Sequence, residues 1–185
     1  MEVKVKKITD WERVVNAARF TAHKEELGHE PSDQWKKKIA LSEHSPFRLL
    51  EFDIQLSDVP YYVVMHLVRH FMGVEKFVTT QREDRTTSGT PRSELKQDAL
   101  VGVQFSANAQ ALINISRKRL CLGQPSPETR MAWTKVKEAI AEVDPVMASA
   151  MRKECVYRGR CPEAQCCGYD KTEAFQNELK EYWKV

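Results

Sequence analysis

The sequence predicts an α+β fold in which helices dominate and a small antiparallel or mixed sheet is built from the first half of the chain. Segments of alternating hydrophobicity occur only early, and apolar residues at helical spacing dominate later. Strands and helices do not alternate as βαβ units. A chain of 185 residues with 42% hydrophobic residues can bury one core, so we expect a single domain over residues 1–185.

The N-terminal half is expected to contain three strands and three helices. Strands are predicted where apolar and charged residues alternate, at 3–5, 49–56 and 75–80. Helices are predicted at 10–21, 32–41 and 61–71. Ser57 or Asp58 is expected to cap the third helix, and Gly73 is expected to end it.

The C-terminal half is expected to be helical. A polar segment, 82–97, contains Gly89 and Pro91 and is predicted to be a ligand-serving loop, because such long loops are otherwise uncommon. Helices follow at 107–121, 127–143, 145–153 and 172–183, with Gly123 ending the first of them. A cysteine-rich loop, 155–169, precedes the last helix.

Composition narrows the function classes. Lysine and arginine total 29 against 26 acidic residues, and the charges are interspersed. The chain can therefore bind an anion, but nucleic acid is not the expected partner. There is neither an apolar run of about 20 residues nor a signal peptide, so no membrane partner is expected. Five cysteines without a secretory signal favour the cytoplasm.

The segment Arg69-His70-Phe71, separated by eight residues from Thr80-Gln81-Arg82, is the most informative part of the chain. It combines guanidinium groups, an imidazole and a hydroxyl, which bind phosphates and recognise rings. His66 lies four residues before His70, so a helix would place both beside Arg69 on one face. Two alternatives stay open. These residues could simply form the edge of a partly buried helix, or His66 and His70 could bind one zinc ion, although no third ligand lies nearby in the sequence.

A second candidate site lies on the helix predicted at 107–121. Asn108 and Arg119 are eleven residues apart, which places them within about 20° on one helix face. An amide and a guanidinium along an otherwise apolar face suggest a polar cleft. An ordinary amphipathic helix with an arginine at its rim is the alternative.

The order of these motifs resembles that of the flavin-dependent thymidylate synthases, the ThyX class, over most of the chain. That family carries Arg-His-Arg, seven residues and Ser-x-Arg, which the Arg69 and Thr80 segments resemble. His44-Ser45-Pro46-Phe47-Arg48 resembles the family's turn before an aromatic strand. Asn108-Ala109-Gln110, with Asn114 and Arg119, resembles its Asn-Ala-Arg helix. Two weaker matches follow, at Gln124 to Arg130 and at Cys161-Pro162-Glu163 with Cys167-Gly168.

The resemblance implies a ThyX-like fold and a homotetramer that binds FAD and dUMP where subunits meet. Methylenetetrahydrofolate would donate one carbon to the 5-position of dUMP, and reduced FAD would donate the hydride. This methyltransferase chemistry uses no protein thiol as a nucleophile, so Cys121 is not required for it.

The resemblance also assigns roles to individual residues. Arg119 matches the catalytic arginine, which lies close to both the uracil and the flavin. The substrate-binding residues would be His66, Arg69, Thr80, Gln81 and Arg82. The flavin-binding residues would be Ser45, His70, Asn108 and Asn114.

The chain departs from the family pattern at several of these positions. Phe71 and Gln110 replace arginines, and Arg48 stands where a glutamate is common. Fewer cations imply weaker binding of the FAD pyrophosphate. An enzyme acting on a modified pyrimidine nucleotide, and a non-catalytic nucleotide-binding or nucleic-acid-binding protein on the same fold, are therefore the alternatives.

A cysteine cluster is the last candidate site. Cys155, Cys161 and Cys167 could supply three ligands to a zinc ion, with Cys121 or a histidine as the fourth. The spacing is not that of the usual zinc knuckle. Buried or redox-active thiols are the main alternative, an iron–sulfur cluster is another, and a thiol–metal structural protein is the corresponding function.

Overall fold

The computed structural model describes residues 1–86, 90–123 and 126–184. Within them, one antiparallel sheet has the strand order β1-β2-β4-β3. Its strands are β1 (Glu2–Lys7), β2 (Glu51–Pro60), β3 (Val74–Val78) and β4 (Leu100–Asn108). The prediction of a helix-rich α+β fold with a small antiparallel sheet is confirmed.

Helices account for much of the remaining described chain. They are α1 (Trp11–Thr21), α2 (Asp33–Ser42), α3 (Tyr61–Leu67), α4 (Ala109–Arg119), α5 (Pro127–Val143), α6 (Pro145–Ala150), α7 (Glu154–Arg158) and α8 (Glu173–Trp183). The side chains of Ser32, Asn108, Ser126 and Thr172 accept backbone N–H bonds at helix starts, as short polar caps do. No helix of the described residues is long and apolar enough to cross a membrane.

The sheet buries one face and leaves the other polar. Phe52, Ile54 and Phe105 are at most 1% exposed and belong to the main core, together with residues from the helices. On the opposite face Gln55 donates to Gln104 across β2 and β4, at 3.2 Å. A smaller core joins α7 to α8. The single-domain assignment stays a prediction.

Strand β4 passes directly into α4, and this junction positions the candidate site. The Asn108 N–H donates to the Gly73 carbonyl at 3.0 Å, and the Ala109 N–H donates to the Leu50 carbonyl at 2.8 Å. The Asn108 Oδ1 accepts from the Ala111 N–H at 2.9 Å, which caps α4. The first turn of α4 is therefore tied both to β2 and to the turn before β3.

Several predicted boundaries are wrong. Strand β4 was not predicted, and α4 begins after Asn108 rather than at Ala107. Ser57 and Asp58 do not cap a helix, because β2 continues through an irregularity to Pro60, with Asp58 at φ 56°. Helix α3 ends at Leu67, well before Gly73.

The C-terminal half also differs from its prediction in places. The helix predicted at 145–153 is shorter and is followed by α7, which was not predicted. The segment predicted as a loop contains two short 3-10 turns, Glu83–Arg85 and Arg92–Glu94. Residues 87–89 of this segment, which include Gly89, lie outside the described residues. So do residues 124 and 125, which belong to the segment from Gln124 to Arg130 that resembles a family motif.

Candidate functional site

Arg119 joins the two segments that the sequence singled out. It is the last residue of α4, and its Nε donates to His70 Nε2 at 2.9 Å. Its Nη2 donates to the His66 carbonyl at 2.5 Å. The histidines were predicted to share a helix face, but His70 lies beyond the end of α3. The guanidinium group, rather than helix periodicity, brings them together.

His70 is a neutral hydrogen-bond acceptor in this arrangement. Burial, and then the charges of Arg119 and Lys76, lower the pKa of His70 to about 4. Lys76 Nζ donates to the His70 carbonyl at 2.8 Å and to the Val68 carbonyl at 3.1 Å. Because Nε2 accepts from Arg119, the ring proton resides on Nδ1. The imidazole therefore holds Arg119 in place without neutralising it.

His66 links this site to the start of α5. Its Nδ1 lies 2.9 Å from the Thr129 hydroxyl, which in turn lies 2.8 Å from the hydroxyl of the α5 cap, Ser126. Burial lowers the pKa of His66, and the charges of Arg119 and Arg69 lower it further. The second histidine is thus also held by a neutral partner.

The site carries positive charge without a carboxylate partner. Burial and the neighbouring charge of Arg69 lower the pKa of Arg119. Arg69 is exposed, and no hydrogen bond or ion pair joins it to the described residues. Two guanidinium groups that repel each other and face neutral histidines form a site suited to an anion.

The Thr80 segment follows β3 and is anchored just before it. The Thr79 N–H donates to the Gly102 carbonyl at 2.9 Å, and the Gly102 N–H donates to the Thr79 hydroxyl at 2.8 Å. Arg82 binds Asp84 with two hydrogen bonds, of 2.9 and 2.7 Å. Both side chains are 57% exposed, so an anion can compete for the guanidinium group.

The predicted nucleotide-binding residues are thus only partly assembled. Thr80 is exposed, and its hydroxyl accepts from the Arg82 N–H at 3.2 Å, while Gln81 is half-buried. In the described part of the chain, no hydrogen bond or ion pair joins this segment to Arg69 or Arg119. The structure therefore shows two cationic groups rather than one completed site.

A polar cleft of about 500 Å³ lies at the other end of α4. It is lined by Glu43, Arg48, Met72, Gly73, Asn108, Gln110, Ala111 and Asn114. Of the residues predicted to bind flavin, Asn108 and Asn114 line this cleft, whereas His70 contacts Arg119. Ser45 is exposed at the start of the 3-10 helix Ser45–Leu49 and is not among the lining residues.

Sequence reasoning missed the ion pair that organises this cleft. Arg117 Nη2 pairs with Glu43 Oε1, and Gln110 Nε2 donates to Glu43 Oε2. The Arg117 guanidinium also lies 3.5 Å from the centroid of the Tyr157 ring. Glu43 adopts φ 48° just after α2. No periodic pattern links residues 74 positions apart, so the sequence alone carried no signal for the pair.

Four cysteines line one small cavity of about 10 Å³, one just after α4, one in α7 and two in the following loop: Cys121, Cys155, Cys161 and Cys167. However, the described residues contain no group of three or more His, Cys, Asp or Glu side chains that could hold a metal ion. Burial raises the pKa of Cys155 to about 11 and also raises that of Cys121. The thiols of Cys121 and Cys155 are therefore protonated at neutral pH, which does not favour Cys121 as a nucleophile.

Solved structures share this fold. The flavin-dependent thymidylate synthase ThyX from Helicobacter pylori, complexed with FAD and dUMP, matches with a TM-score of 0.66 and 14% identity, over 83% of this chain and 100% of that chain. The UMP/dUMP methylase PolB from Streptomyces cacaoi, bound with 5-Br dUMP, matches with a TM-score of 0.62 and 16% identity, over 80% of this chain and 94% of that chain.

The fold is therefore ThyX-like, as the sequence motifs predicted. No protein-family model and no curated protein matches the chain. At this level of identity the likeness shows the fold, and the role of each residue must be argued from the site itself.

Proposed function

We propose that the chain is a flavin-dependent thymidylate synthase-like methyltransferase, which transfers a one-carbon unit to the 5-position of dUMP. The observation that carries this proposal is the bond between Arg119 and neutral His70. It joins the two motifs of the ThyX-like pattern and leaves a cation without a counter-ion on a fold shared with dUMP-binding enzymes.

The nucleotide would be bound by the exposed cations and their neighbours. The Arg69 guanidinium has no partner among the described residues, and Arg82 would exchange the carboxylate of Asp84 for the phosphate, since guanidinium groups bind both in a bidentate manner. The Thr80 hydroxyl would add a hydrogen bond. Gln81 and His66 complete the proposed substrate-binding set.

The polar cleft fits a flavin dinucleotide by the chemistry of its donors. Arg48 and the amides of Asn108 and Asn114 line it, and at Gly73 a Cβ atom would lie 2.6 Å from Asn108 Nδ2. The absence of a side chain at Gly73 therefore leaves room for the Asn108 amide, which lies against the Gly73 backbone at the wall of the cleft. FAD, when bound and reduced, would supply the hydride, and methylenetetrahydrofolate would supply the carbon.

Arg119 would act on the reacting pyrimidine. Its guanidinium is held by two acceptors, and both are neutral, so its charge remains available to the base. Positioning of this kind lowers a reaction barrier by fixing the orientation of the reacting groups. Ser45 and His70 complete the proposed flavin set, with His70 acting through its bond to Arg119.

A second subunit would be needed to complete the site. Asn108 and Arg119 stand at opposite ends of α4, roughly 16 Å apart along the helix axis at 1.5 Å per residue. A second chain placed against this helix would bring its own Arg119 site close to the cleft, so that one pair of ligands could contact both. We therefore propose a homotetramer, acting in the cytoplasm, with light scattering of the purified chain as the measurement.

A related methylation of another pyrimidine nucleotide is the second candidate. The exposed Phe71 and the engagement of Gln110 by Glu43 change the charge of the site from the ThyX pattern. The test is incubation of the purified chain with FAD, a reductant, methylenetetrahydrofolate and either dUMP or UMP, followed by mass spectrometry. Methylated dUMP supports the first candidate, methylated UMP alone supports the second, and binding without product supports a non-catalytic protein.

A further inference from the structure

Arg48 is a cation of the cleft whose charge is not used by the protein itself. It belongs to the 3-10 helix Ser45–Leu49, where the flanking Phe47 and Leu50 are fully buried. The backbone that carries Arg48 is therefore fixed by the core. Its side chain is exposed, and no hydrogen bond, ion pair or ring contact joins it to the described residues.

The nearest carboxylate of the cleft does not neutralise Arg48. Both oxygens of Glu43 are engaged, one by Arg117 and the other by Gln110. The side chains of this pair are only 13% and 19% exposed, which makes the pair a fixed part of the wall. With Glu43 and Arg117 cancelling, the net charge of the cleft comes from Arg48.

The other polar groups of the cleft are also donors. Asn108 and Asn114 use their Oδ1 atoms within α4, as acceptors for the Ala111 N–H and for Gln110 and Arg117 respectively. Their amide N–H groups thus remain for a ligand. A guanidinium beside two amide donors is complementary to a phosphate or diphosphate.

The sequence departures gain a physical explanation from this placement. Phe71 and Gln110 stand where arginines are expected, and Gln110 donates to Glu43. Arg48 is the reverse change, a cation in place of a glutamate, and it lines the same cleft as Gln110. The cleft therefore loses a cation at Gln110 and gains one at Arg48, whereas Phe71 is not among the lining residues.

We propose that Arg48 binds the diphosphate of the flavin dinucleotide in place of the arginine expected at Gln110. The assignment rests on the proposed function, because the ligand of the cleft is taken to be FAD. It makes Arg48 a residue that selects a dinucleotide over an uncharged flavin. The phosphate of dUMP could bind Arg48 in the same way, so the test must distinguish the FAD diphosphate from the dUMP phosphate.

The test is calorimetric titration of the purified chain with FAD, riboflavin and dUMP. Four proteins are compared: wild type, Arg48→Gln, Arg48→Lys and the control Arg160→Gln, which removes an exposed arginine outside the cleft. Arg48→Gln should weaken FAD binding by about ten- to a hundredfold, because it removes a charge-assisted bond to phosphate. Arg48→Lys should recover part of the affinity, and the control should match wild type.

The three ligands distinguish the outcomes. Riboflavin lacks the diphosphate, so its affinity should be the same for Arg48→Gln and wild type. Equal FAD affinity for wild type and Arg48→Gln would overturn the role of Arg48 while leaving the enzyme assignment intact. A selective loss of dUMP affinity would overturn it by assigning Arg48 to the nucleotide. Failure of the wild type to bind FAD would overturn the proposed function and this assignment together.

Discussion

Arg117 and Arg119 lie two residues apart on α4, yet the protein uses their charges in opposite ways. Arg117 faces a carboxylate, an amide oxygen and an aromatic ring, with Glu43 as its ion-pair partner. Arg119 faces an imidazole nitrogen and a carbonyl oxygen, both of them neutral. The Arg117 guanidinium is neutralised by a carboxylate of the fold, although its Nε has no hydrogen-bond partner among the described residues, whereas the Arg119 guanidinium has no carboxylate partner among them.

This difference distinguishes Arg117, which pairs within the fold, from Arg119, for which we propose a functional role. A buried ion pair fixes two segments of chain, here the end of α2 and the last turn of α4. Arg119 is held in one orientation by neutral acceptors, which do not neutralise its charge. Burial and the charge of Arg69 lower the pKa of Arg119. Such an arrangement is expected where an anion or a developing negative charge is bound.

The largest expected effects, on turnover and on stability, come from replacing Arg119 and Arg117 separately by alanine. Arg119→Ala should reduce turnover of dUMP by about a hundredfold or more, because the orienting charge is lost. Arg117→Ala should reduce the free energy of unfolding by on the order of 3 kcal/mol, because Glu43 is left largely buried without its partner. At saturating FAD, turnover per folded molecule should then change by only a few-fold. Turnover assays and urea denaturation of both variants provide the measurement. Loss of turnover in Arg117→Ala together with loss of stability in Arg119→Ala would contradict the comparison.

A smaller effect is expected at Arg82, whose partner Asp84 is exposed. Arg82→Ala should weaken dUMP binding by about ten- to a hundredfold, since one charge-assisted bond to phosphate contributes roughly 1.5–3 kcal/mol. Asp84→Ala is the matched control, because it removes the competing carboxylate and should tighten binding slightly. Calorimetry measures both variants, and unchanged affinity in Arg82→Ala would remove this residue from the substrate site.

Because His70 is neutral in the folded chain, the stability of the protein should depend on pH. The pKa of His70 is about 4 in the folded chain and near its usual value when unfolded, so the unfolded state binds the proton first as the pH falls. Stability should therefore decline between about pH 6.5 and pH 4 and level off below that range. Urea midpoints for wild type and His70→Gln across this range test the claim, and identical slopes for the two proteins would contradict it.

Arg119 should also be visible in the titration of His70 itself. Its charge is one cause of the lowered pKa of His70, after burial. Removing that charge in Arg119→Ala should move the pKa upward, towards the ordinary value, whereas Arg117→Ala should leave it unchanged. Chemical-shift titration of the imidazole measures both, and an unmoved pKa in Arg119→Ala would mean that burial and the charge of Lys76 set the pKa without Arg119.

The smallest effect is expected at Cys121, close to Arg119 in sequence. Burial raises the pKa of this thiol, so it is not poised as a nucleophile. Cys121→Ser should cost a little packing stability and leave turnover within a few-fold. Steady-state turnover with dUMP is the measurement, and an inactive variant that still folds would point to covalent catalysis.

Much of the fold could be predicted because its signals are local. The polar caps at Ser32 and Ser126 mark helix starts, and the alternation around Ile54 marks a strand. Strand β4 was missed although Val101, Val103 and Phe105 alternate with polar residues or glycine. The helix prediction extended back over the last two residues of the strand, and the segment 98–106 received no assignment.

The site could be predicted only in part. The motifs singled out Arg69, His70 and Arg119, but helix periodicity grouped only His66 and His70 with Arg69 and, separately, Asn108 with Arg119. The contact instead depends on a guanidinium reaching two segments that lie about 50 residues earlier in the chain. The Glu43–Arg117 pair is similarly non-local and left no pattern in the sequence. Side-chain pairing across the tertiary fold is what sequence reading could not supply.

The most direct test is the effect of dUMP on the absorption spectrum of FAD bound to the chain. If Arg119 and the cleft serve one composite site, dUMP should perturb the flavin spectrum of wild type and of Arg117→Lys. Arg119→Ala should retain FAD but lose most of the perturbation. A wild-type chain that binds both ligands with no change in the flavin spectrum would contradict the shared site, and with it the proposed reaction.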